Sequence, residues 1–315
     1  MKIAIVRLSA MGDIFHMLWC IKNIRNAYPN AKIDFFVDSR FYFLAEDLIW
    51  FDEVFSIPFK KHPLKSIKMI FKHKNNYDIS IDYQGRVKSA FIANVLSKNS
   101  FGYAKNGLKE KLAYYFYKHH CDCDYLENVY TRSLELSKFA LDKFDSDIKL
   151  SDVLIYKDEK TKQYEEKIKD LIKEDFILLH NGSSKISKMY PIEGFIDICK
   201  LYGNKFYLAW GNDYELNRAK QIAKECPNAI VLPKLCLNEL IFLSKHAKLI
   251  LGNDSGTTHL GVVLNIANIT FLNENKKKPA KRLLSPSNKH YYFYRFDEVD
   301  IEQVSDIINK ALKNE

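Results

Sequence analysis

The chain has 315 residues, of which 47% are hydrophobic and 28% are charged, a composition typical of a folded protein and unlike that of a disordered chain. The formal net charge of +9 favours anionic partners, and the length favours two domains over one. No apolar run reaches the roughly 18 residues that a membrane-spanning helix needs, so any membrane contact is expected to be peripheral. Six cysteines without a paired framework predict reduced thiols and a cytoplasmic location.

The N-terminal half alternates predicted strands and helices. A β-rich run at Ile3–Leu8, a turn at Ser9–Asp13 and helix-spaced apolar residues from Ile14 to Ile24 form the first strand, turn and helix. The later elements of this half are predicted as a helix at 41–50 and strands at 32–37, 54–57 and 77–82. Strands that alternate with helices indicate a parallel sheet covered on both faces.

A charged stretch from Lys157 to Lys173 predicts a solvated helix at a domain junction. Further strands are predicted at 176–180, 205–210, 229–232, 248–252 and 268–272. We therefore expect an α/β protein with two doubly wound domains, residues 1–157 and 158–298, that face a central cleft. An amphipathic helix at about 299–315 is expected to pack on one or both domains, and the sequence allows it to pack back on the first.

Functional residues are expected in the turns that follow the strands, because ligands of open parallel sheets bind beyond the carboxyl ends of the strands. The first such turn, Ser9–Asp13, places a glycine where a sharp backbone turn is expected and an acid at the start of a helix. Residue type alone favours Asp13 as a helix cap. Its position at the end of the first strand instead predicts a carboxylate that faces the cleft, with His16 near the same edge.

The second informative turn, residues 180–191, combines hydroxyls, a glycine and two lysines ahead of a proline that opens the next helix. Backbone amides at a helix N-terminus and the ammonium of Lys188 suit a diphosphate, because both converge on the anion. A solvated, serine-rich loop is an equally good interpretation of this segment in isolation.

The third turn, residues 252–259, starts another helix, and Asp254 or Ser255 is expected to cap it. The backbone amides that follow, including that of Gly256, form an anion-binding turn, and His259 is expected at the same rim. A fourth turn contains Glu215, which suits a pair of ribose hydroxyls or, alternatively, is an exposed acid at a helix start. The cluster at residues 119–123 lacks the separated ligand pairs of a structural zinc site.

Together these turns resemble the lipopolysaccharide heptosyltransferases of Gram-negative bacteria over nearly the whole chain. The family's motifs recur in the family's order as Ser-Ala-Met-Gly-Asp13 with His16, the segment 82–90, Lys188 before Tyr-Pro, Trp210-Gly, and Asp254-Ser-Gly-x-x-His259. The first motif and Gln84-Gly-x-x-Lys88-Ser look most like heptosyltransferase I, which adds the first heptose to Kdo of lipid A.

The resemblance implies a GT-B fold, an acceptor site in the N-terminal domain and an ADP-heptose site in the C-terminal domain. It also implies an inverting transfer without a metal or other cofactor, with Asp13 as general base and Lys188 as the cation that neutralises the leaving diphosphate. The implied donor-binding residues are Ser183, Ser184, Glu215, Asp254, Ser255, Gly256 and His259. The implied acceptor-binding residues are Ser9, Gly12, His16, Lys60, Lys61, Gln84, Arg86, Lys88, Lys109 and Arg132.

The chain departs from the family where lysines replace arginines in the acceptor set, because a lysine binds an anion as a point charge without the bidentate fork of arginine. The implied partners are ADP-heptose, Kdo-lipid A and the anionic cytoplasmic face of the inner membrane, contacted peripherally by a monomer. Heptosyltransferase II is the nearest alternative. A nicotinamide-dependent oxidoreductase would need the G-x-G-x-x-G turn that the first turn lacks. Nucleic acid is not expected as a partner, because the basic residues are interleaved with acids.

Overall fold

The computed structural model describes residues 1–145, 152–183, 185–273 and 287–313. Contacts between these residues divide the chain into two units, the first reaching Lys157 and the second beginning at Asp158. Each unit is built on one sheet of six strands, and neighbouring strands in both sheets are parallel. The expected α/β class is therefore confirmed.

The first unit places its earliest strand in the middle of the sheet, in the order β3-β2-β1-β4-β5-β6. Its strands are β1 (Lys2–Val6), β2 (Lys32–Asp38), β3 (Glu53–Ile57), β4 (Ile79–Asp82), β5 (Ser100–Tyr103) and β6 (His119–Cys121). Its helices are α1 (Met11–Ala27), α2 (Pro63–Lys72), α3 (Val87–Leu96) and α4 (Val129–Ala140). Strand β1 is buried from Ile3 to Val6 because sheet neighbours lie on both sides of it and helices cover it.

Alternate residues of β1 face different helices, as the twofold period of a strand requires. Ala4 and Val6 belong to a core cluster that also contains Ile70 of α2 and Ile92 of α3. Helices α1 and α4 form the other packed pair of this unit. The carboxyl end of β1 is thereby held between packed layers, which fixes the position of the turn that follows it.

The second unit repeats this winding in the order β12-β11-β10-β7-β8-β9. Its strands are β7 (Phe176–His180), β8 (Lys205–Ala209), β9 (Ala229–Val231), β10 (Leu249–Asn253), β11 (Ala267–Phe271) and β12 (His290–Phe293). Its helices are α5 (Asp158–Ile168), α6 (Ile192–Lys200), α7 (Asp213–Glu225), α8 (Leu237–Lys245), α9 (His259–Val263) and α10 (Ile301–Lys313). The last helix packs into this unit's own core through Val304, Ile307 and Ile308.

The strand order reverses once in each sheet, between β1 and β4 in the first and between β7 and β10 in the second. At such a reversal the connections leave in opposite directions, and ligands of doubly wound sheets bind there. The turns after these strands are the ones from which the sequence analysis selected its main candidate residues.

The predicted helix at 41–50 is wrong. The segment contains only a short 3-10 turn at Tyr42–Leu44. Tertiary contacts hold its end in an irregular path, because the indole of Trp50 donates to the carbonyl of Val153 at 2.6 Å and Leu48 forms a β-bridge with Tyr156.

Three strands were missed, namely β5, β6 and β12, because they are only three or four residues long and contain glycine, histidine or serine.

Gly252 on β10 lies directly opposite His180 on β7. A Cβ atom on Gly252 would lie 2.4 Å from the carbonyl oxygen of His180, which is backbone and cannot move aside. We expect Gly252→Ala to lower the free energy of unfolding by about 1–3 kcal/mol, the usual cost of overpacking. Urea unfolding followed by circular dichroism measures the change.

Gly203 provides the matched control, because an added Cβ there meets nothing within 4 Å. Gly203→Ala is expected to change the free energy of unfolding by less than about 1 kcal/mol. Equal unfolding midpoints for the two variants would contradict the close approach of β7 and β10.

Candidate active site

The turn after β1 leads directly into α1. The helix begins at Met11, and Ala10 at the N-cap position has no side chain that could cap it. Asp13 is the third residue of the helix, so the interpretation of Asp13 as the cap is wrong. Gly12 lies inside the first helical turn, not at the sharp bend that the sequence predicts.

The carboxylate of Asp13 is held by Arg7, which follows β1. The two groups form an ion pair of 2.7 Å, in which the Arg7 side chain is 5% exposed and the Asp13 side chain 32%. Arg7 also donates to the carbonyl oxygen of Tyr83 at 2.5 Å, at the end of β4. A buried guanidinium without an anion is strongly destabilising, so Arg7 fixes the Asp13 carboxylate at the carboxyl end of β1.

Arg7 was not among the residues predicted for the site. Its signal was a charge placed immediately after the apolar run Ile3–Val6, and only the structure shows which acid it contacts.

Gln84 connects the turn after β4 to the turn after β1. Its side-chain oxygen accepts from the backbone N–H of Leu8 at 2.9 Å, and its amide nitrogen donates to Ser9 Oγ at 3.0 Å. Asp82, at the end of β4, is buried and accepts from the Tyr117 hydroxyl at 2.6 Å. Burial raises the pKa of Asp82 despite the hydrogen bonds that it accepts. These bonds make the reversal point of the first sheet a rigid polar edge.

A cavity of about 490 Å³ opens beside this edge within the first unit. It is lined by Leu8, Ser9, Asp38, Arg40, Phe59, Lys60, Gln84, Arg86, Lys88 and Glu110. The two acids are each bound to an arginine, Asp38 to Arg40 at 2.9 Å and Glu110 to Arg86 at 2.7 Å. Across the part of the chain that the structure describes, Lys60 and Lys88 form no ion pair, so their charge is available to an anionic ligand.

The cavity therefore brings together five of the predicted acceptor residues, namely Ser9, Lys60, Gln84, Arg86 and Lys88. It adds Arg40, which the sequence analysis did not select. Lys61 and Lys109 are exposed.

Two other predicted acceptor residues are buried. The guanidinium of Arg132 donates to the carbonyl oxygens of Gly107 at 2.8 Å and Asp124 at 2.6 Å. It also lies over the Tyr103 ring, 4.1 Å from the ring centroid. His16 is buried with an edge contact to Trp19. Arg132 is thus buried and bonded within its own unit, which does not fit its predicted role in binding an acceptor.

In the second unit, Asp254 connects the turns after β7 and β10. Its Oδ2 lies 2.5 Å from the ammonium of Lys188, and its Oδ1 lies 3.5 Å from Nε2 of His259. Burial on its own would raise the pKa of Asp254, but the hydrogen bonds from His259 and Lys188 outweigh it and lower the pKa to about 2. The carboxylate is therefore ionised at neutral pH and holds Lys188 at the reversal point of the second sheet.

Hydrogen bonds from amide and hydroxyl side chains connect the same two turns. Asn253 accepts from the backbone N–H of Tyr190 at 2.7 Å and donates to the carbonyl of Asn181 at 2.8 Å. Ser183 Oγ donates to the carbonyl oxygen of Asp254 at 2.9 Å. Ser184, the other predicted hydroxyl, lies outside the described residues. The diphosphate-binding elements predicted from sequence thus share one edge of the second sheet.

The two predicted caps of this turn differ in outcome. Helix α9 begins at His259, and the side chain of Thr258 at its N-cap position makes no capping bond. Asp254 does not cap the helix, because its carboxylate is engaged with Lys188 and His259. Ser255 Oγ accepts from the backbone N–H of Thr258 at 3.3 Å, the bond expected of a capping serine, in the turn that leads into the helix.

Glu215, the predicted ribose ligand, lies at the start of α7. Its Oε2 accepts from the backbone N–H of Gly211 at 2.7 Å. An added Cβ on Gly182 would lie 2.3 Å from the Glu215 carboxylate, so Gly182 is required for this acid to pack against the turn after β7. Gly182 was not among the residues predicted for the site.

The cluster at 119–123 serves the core of the first unit. His119 stacks on Phe101 and His120 on Tyr114. Among the residues that the structure describes, no group of three or more His, Cys, Asp and Glu side chains could hold a metal ion.

The sequence profile of glycosyltransferase family 9 (heptosyltransferase) matches residues 70–293. The chain belongs to glycosyltransferase family 9. Its relatives in this family include the lipopolysaccharide heptosyltransferase 1 of Campylobacter coli, which is 38% identical over 285 residues, or 86% of this chain and 83% of the relative. The protein of the same name from Salmonella typhimurium is 27% identical over 289 residues, or 86% of this chain and 88% of the relative.

Solved heptosyltransferase structures have the same fold. The Escherichia coli heptosyltransferase WaaC with ADP superposes with a TM-score of 0.79 at 22% identity, covering 99% of this chain and 98% of that one. The E. coli ADP-heptose heptosyltransferase II gives a TM-score of 0.74 at 15% identity, with 100% and 99% coverage. The family, the enzyme class and the GT-B fold expected from the sequence motifs are thus confirmed.

The ion pairs of the Asp254 carboxylate predict a pH-dependent stability. The folded-state pKa of about 2 lies below the ordinary 3.8, so the carboxylate stabilises the fold fully above about pH 4 and loses this contribution as the pH falls toward 2. We expect Asp254→Asn to lower the free energy of unfolding by about 2 kcal/mol at pH 7, with a difference from wild type that narrows below about pH 4. Urea unfolding followed by tryptophan fluorescence across this pH range measures it.

Asp213→Asn is the matched control, because Asp213 is an exposed acid in the first turn of α7. Its effect is expected to stay below about 1 kcal/mol. A difference between Asp254→Asn and wild type that is the same at every pH would show that ion pairing is not the cause.

Proposed function

We propose that the protein transfers L-glycero-D-manno-heptose from ADP-heptose to the Kdo residue of Kdo-lipid A, the heptosyltransferase I reaction of lipopolysaccharide inner-core biosynthesis. The relatives named lipopolysaccharide heptosyltransferase 1, up to 38% identical, support this reaction. The observation that carries the proposal is the Asp13 carboxylate, held at the carboxyl end of β1 by buried Arg7.

Asp13 is the general base in this proposal. Its side chain is 32% exposed, so a hydroxyl group can reach it, while Arg7 at 2.7 Å holds the carboxylate in place. The Kdo hydroxyl gives its proton to Asp13 as its oxygen forms a bond to the anomeric carbon of heptose. The bond from that carbon to the diphosphate breaks on the opposite face, so ADP leaves and the configuration inverts.

The second unit provides the donor site. Lys188 and the backbone amides after Asp254 neutralise the charge that grows on the leaving diphosphate, so the reaction needs no metal ion or other cofactor. Ser183 lies with them on the same turn pair, because its hydroxyl is bonded to the Asp254 carbonyl. Glu215 binds the ribose hydroxyls, and His259 is the remaining residue of the donor site.

The cavity of the first unit provides the acceptor site. Lys60, Arg86 and Lys88 line it and suit the carboxylate of Kdo, and the exposed Lys61 and Lys109 suit the phosphates of lipid A. Among the described residues no helix is long and apolar enough to cross a membrane. We propose that the enzyme meets its lipid acceptor through peripheral contact with the anionic cytoplasmic face of the inner membrane.

Transfer assays test this function. The protein is incubated with ADP-heptose and either Kdo-lipid A or the same acceptor already bearing one heptose, and the products are resolved by mass spectrometry. We expect heptose on the first acceptor. Transfer only to the second would make the protein a heptosyltransferase II.

Asp13→Asn tests the mechanism. Asparagine keeps an oxygen within reach of Arg7, so the variant is expected to fold and to bind ADP with unchanged affinity in calorimetry. Turnover is expected to fall about 10²–10⁴-fold, the usual contribution of a general base. Asp158→Asn, which alters an exposed acid in the first turn of α5, is the matched control and should keep wild-type turnover. Near-normal turnover of Asp13→Asn would refute the assigned role.

A further inference from the structure

Helix α2 exposes an apolar stripe. Leu64, Ile67 and Phe71 are 82%, 38% and 45% exposed, and their spacing of three and four residues places them on one side of the helix. The helix faces its own core through Ser66 and Ile70, which are buried. The stripe is therefore separate from the face that holds α2 on the sheet.

The residues around this stripe are uniformly basic. At 100° per residue, Lys65, Lys68 and Lys72 form a row directly beside the apolar stripe. The segment 58–77 contains no Asp or Glu and six lysines, namely Lys60, Lys61, Lys65, Lys68, Lys72 and Lys74. None of these six forms an ion pair with a carboxylate in the described ranges of the chain, so their charge is not neutralised within the fold.

A second exposed segment lies in the same layer. Phe91 of α3 contacts Phe71 on one side and Phe116 on the other, each with ring centroids 6.2 Å apart. Phe116 ends a 3-10 turn, Lys111–Phe116, that exposes Leu112 by 67% and Tyr115 by 70%. The rings thus connect two exposed apolar segments into one surface of the first unit.

This second segment is also basic. Lys105, Lys109 and Lys111 lie in or beside the 3-10 turn. The segment 83–118 has one acid, Glu110, which is bound to Arg86 at 2.7 Å. We call α2 together with the Lys111–Phe116 turn the docking face.

We propose that the docking face inserts into the headgroup region of an anionic phospholipid bilayer. An amphipathic helix with large apolar residues beside a row of lysines binds such a surface, because the apolar side chains enter the acyl boundary and the lysines contact anionic headgroups. A nucleic acid would engage the lysines but would leave Leu64, Ile67 and Phe71 in water. The combination of exposed apolar area and positive charge therefore favours a bilayer.

The docking face lies next to the cavity of the first unit. Lys60, which lines the cavity of the first unit, lies just before the N-terminus of α2 at Pro63. Docking of α2 places this side of the cavity at the bilayer surface, where a lipid-linked acceptor presents its sugar. The presentation of the acceptor rests on the proposed function, whereas the assignment of the bilayer contact to this face rests on its exposed apolar residues and its charge.

Vesicle binding tests the proposal without donor or acceptor. The full-length protein is sedimented with vesicles of phosphatidylcholine containing about 30% phosphatidylglycerol, or of phosphatidylcholine alone, in roughly physiological salt. We expect binding to the anionic vesicles. Leu64→Ser/Ile67→Ser/Phe71→Ser should weaken it at least about tenfold, and Lys65→Gln/Lys68→Gln/Lys72→Gln on the order of 100-fold.

Matched controls alter exposed residues of the same types in the second unit. Leu201→Ser/Ile230→Ser changes side chains that are 50% and 40% exposed, and Lys200→Gln/Lys220→Gln/Lys224→Gln removes three exposed lysines of α6 and α7. Both controls should bind as wild type does. Because Phe71 contacts Phe91, the single variant Leu64→Ser, at the most exposed position, is measured beside the triple variant and should also weaken binding.

The outcomes separate this proposal from the transfer reaction. Leu64→Ser should keep wild-type transfer to a deacylated, water-soluble acceptor and show reduced transfer to the same acceptor embedded in vesicles. Absent binding of wild type to anionic vesicles, or equal binding by wild type and the serine variants, would overturn the docking face. Loss of vesicle binding in the lysine variant alone, together with a wild-type affinity for DNA similar to that for anionic vesicles, would also overturn the docking face and indicate a general polyanion-binding surface.

Vesicle binding without transfer to any acceptor would refute the proposed function but would still support the docking face.

Discussion

The buried guanidinium of Arg7 is the constraint on which the first unit's polar edge depends. It follows the buried residues Ile3–Val6 of β1 and is itself buried, so its charge must be matched where the strand ends. Asp13 supplies the anion, and the carbonyl of Tyr83 accepts a second N–H. One side chain therefore fixes the first turn of α1 and the end of β4 to the same point. Gln84 then adds its bonds to Leu8 and Ser9, and the cavity lies beside this edge.

The second unit also has an ion pair where its strand order reverses, but there the acid is the more buried partner. The side chain of Asp254 is 15% exposed, whereas that of its cation, Lys188, is 41% exposed. The pair spans the reversal of strand order, as Arg7 and Tyr83 do in the first unit. Lys188 is thus positioned by a carboxylate and remains open to a second anion. A diphosphate bound there would share the ammonium with Asp254, which is the arrangement expected of a cation that stabilises a leaving group.

Several sequence predictions failed for one reason, which is that side-chain partners are chosen by tertiary contacts. A helix was predicted at 41–50, but bonds from this segment to residues 153–156 hold it in an irregular path. Asp254 has a good capping residue type, yet Lys188 and His259 occupy its carboxylate. The resemblance implied Arg132 as an acceptor-binding residue, whereas two backbone carbonyls and the Tyr103 ring hold it inside the fold.

The sequence by itself determined the alternation of strands and helices, the strand ends that bear polar residues and the family. These features follow from the spacing of apolar residues along the chain and from short motifs, and neither depends on contacts between distant residues. Only the tertiary structure decided that Arg7 meets Asp13, that α10 packs on the second unit and that the apolar stripe of α2 faces outward. The bond from Arg7 to Tyr83 and that from Lys188 to Asp254 join residues 76 and 66 positions apart. Burial and ion pairing depend on such contacts, and local sequence patterns do not encode them.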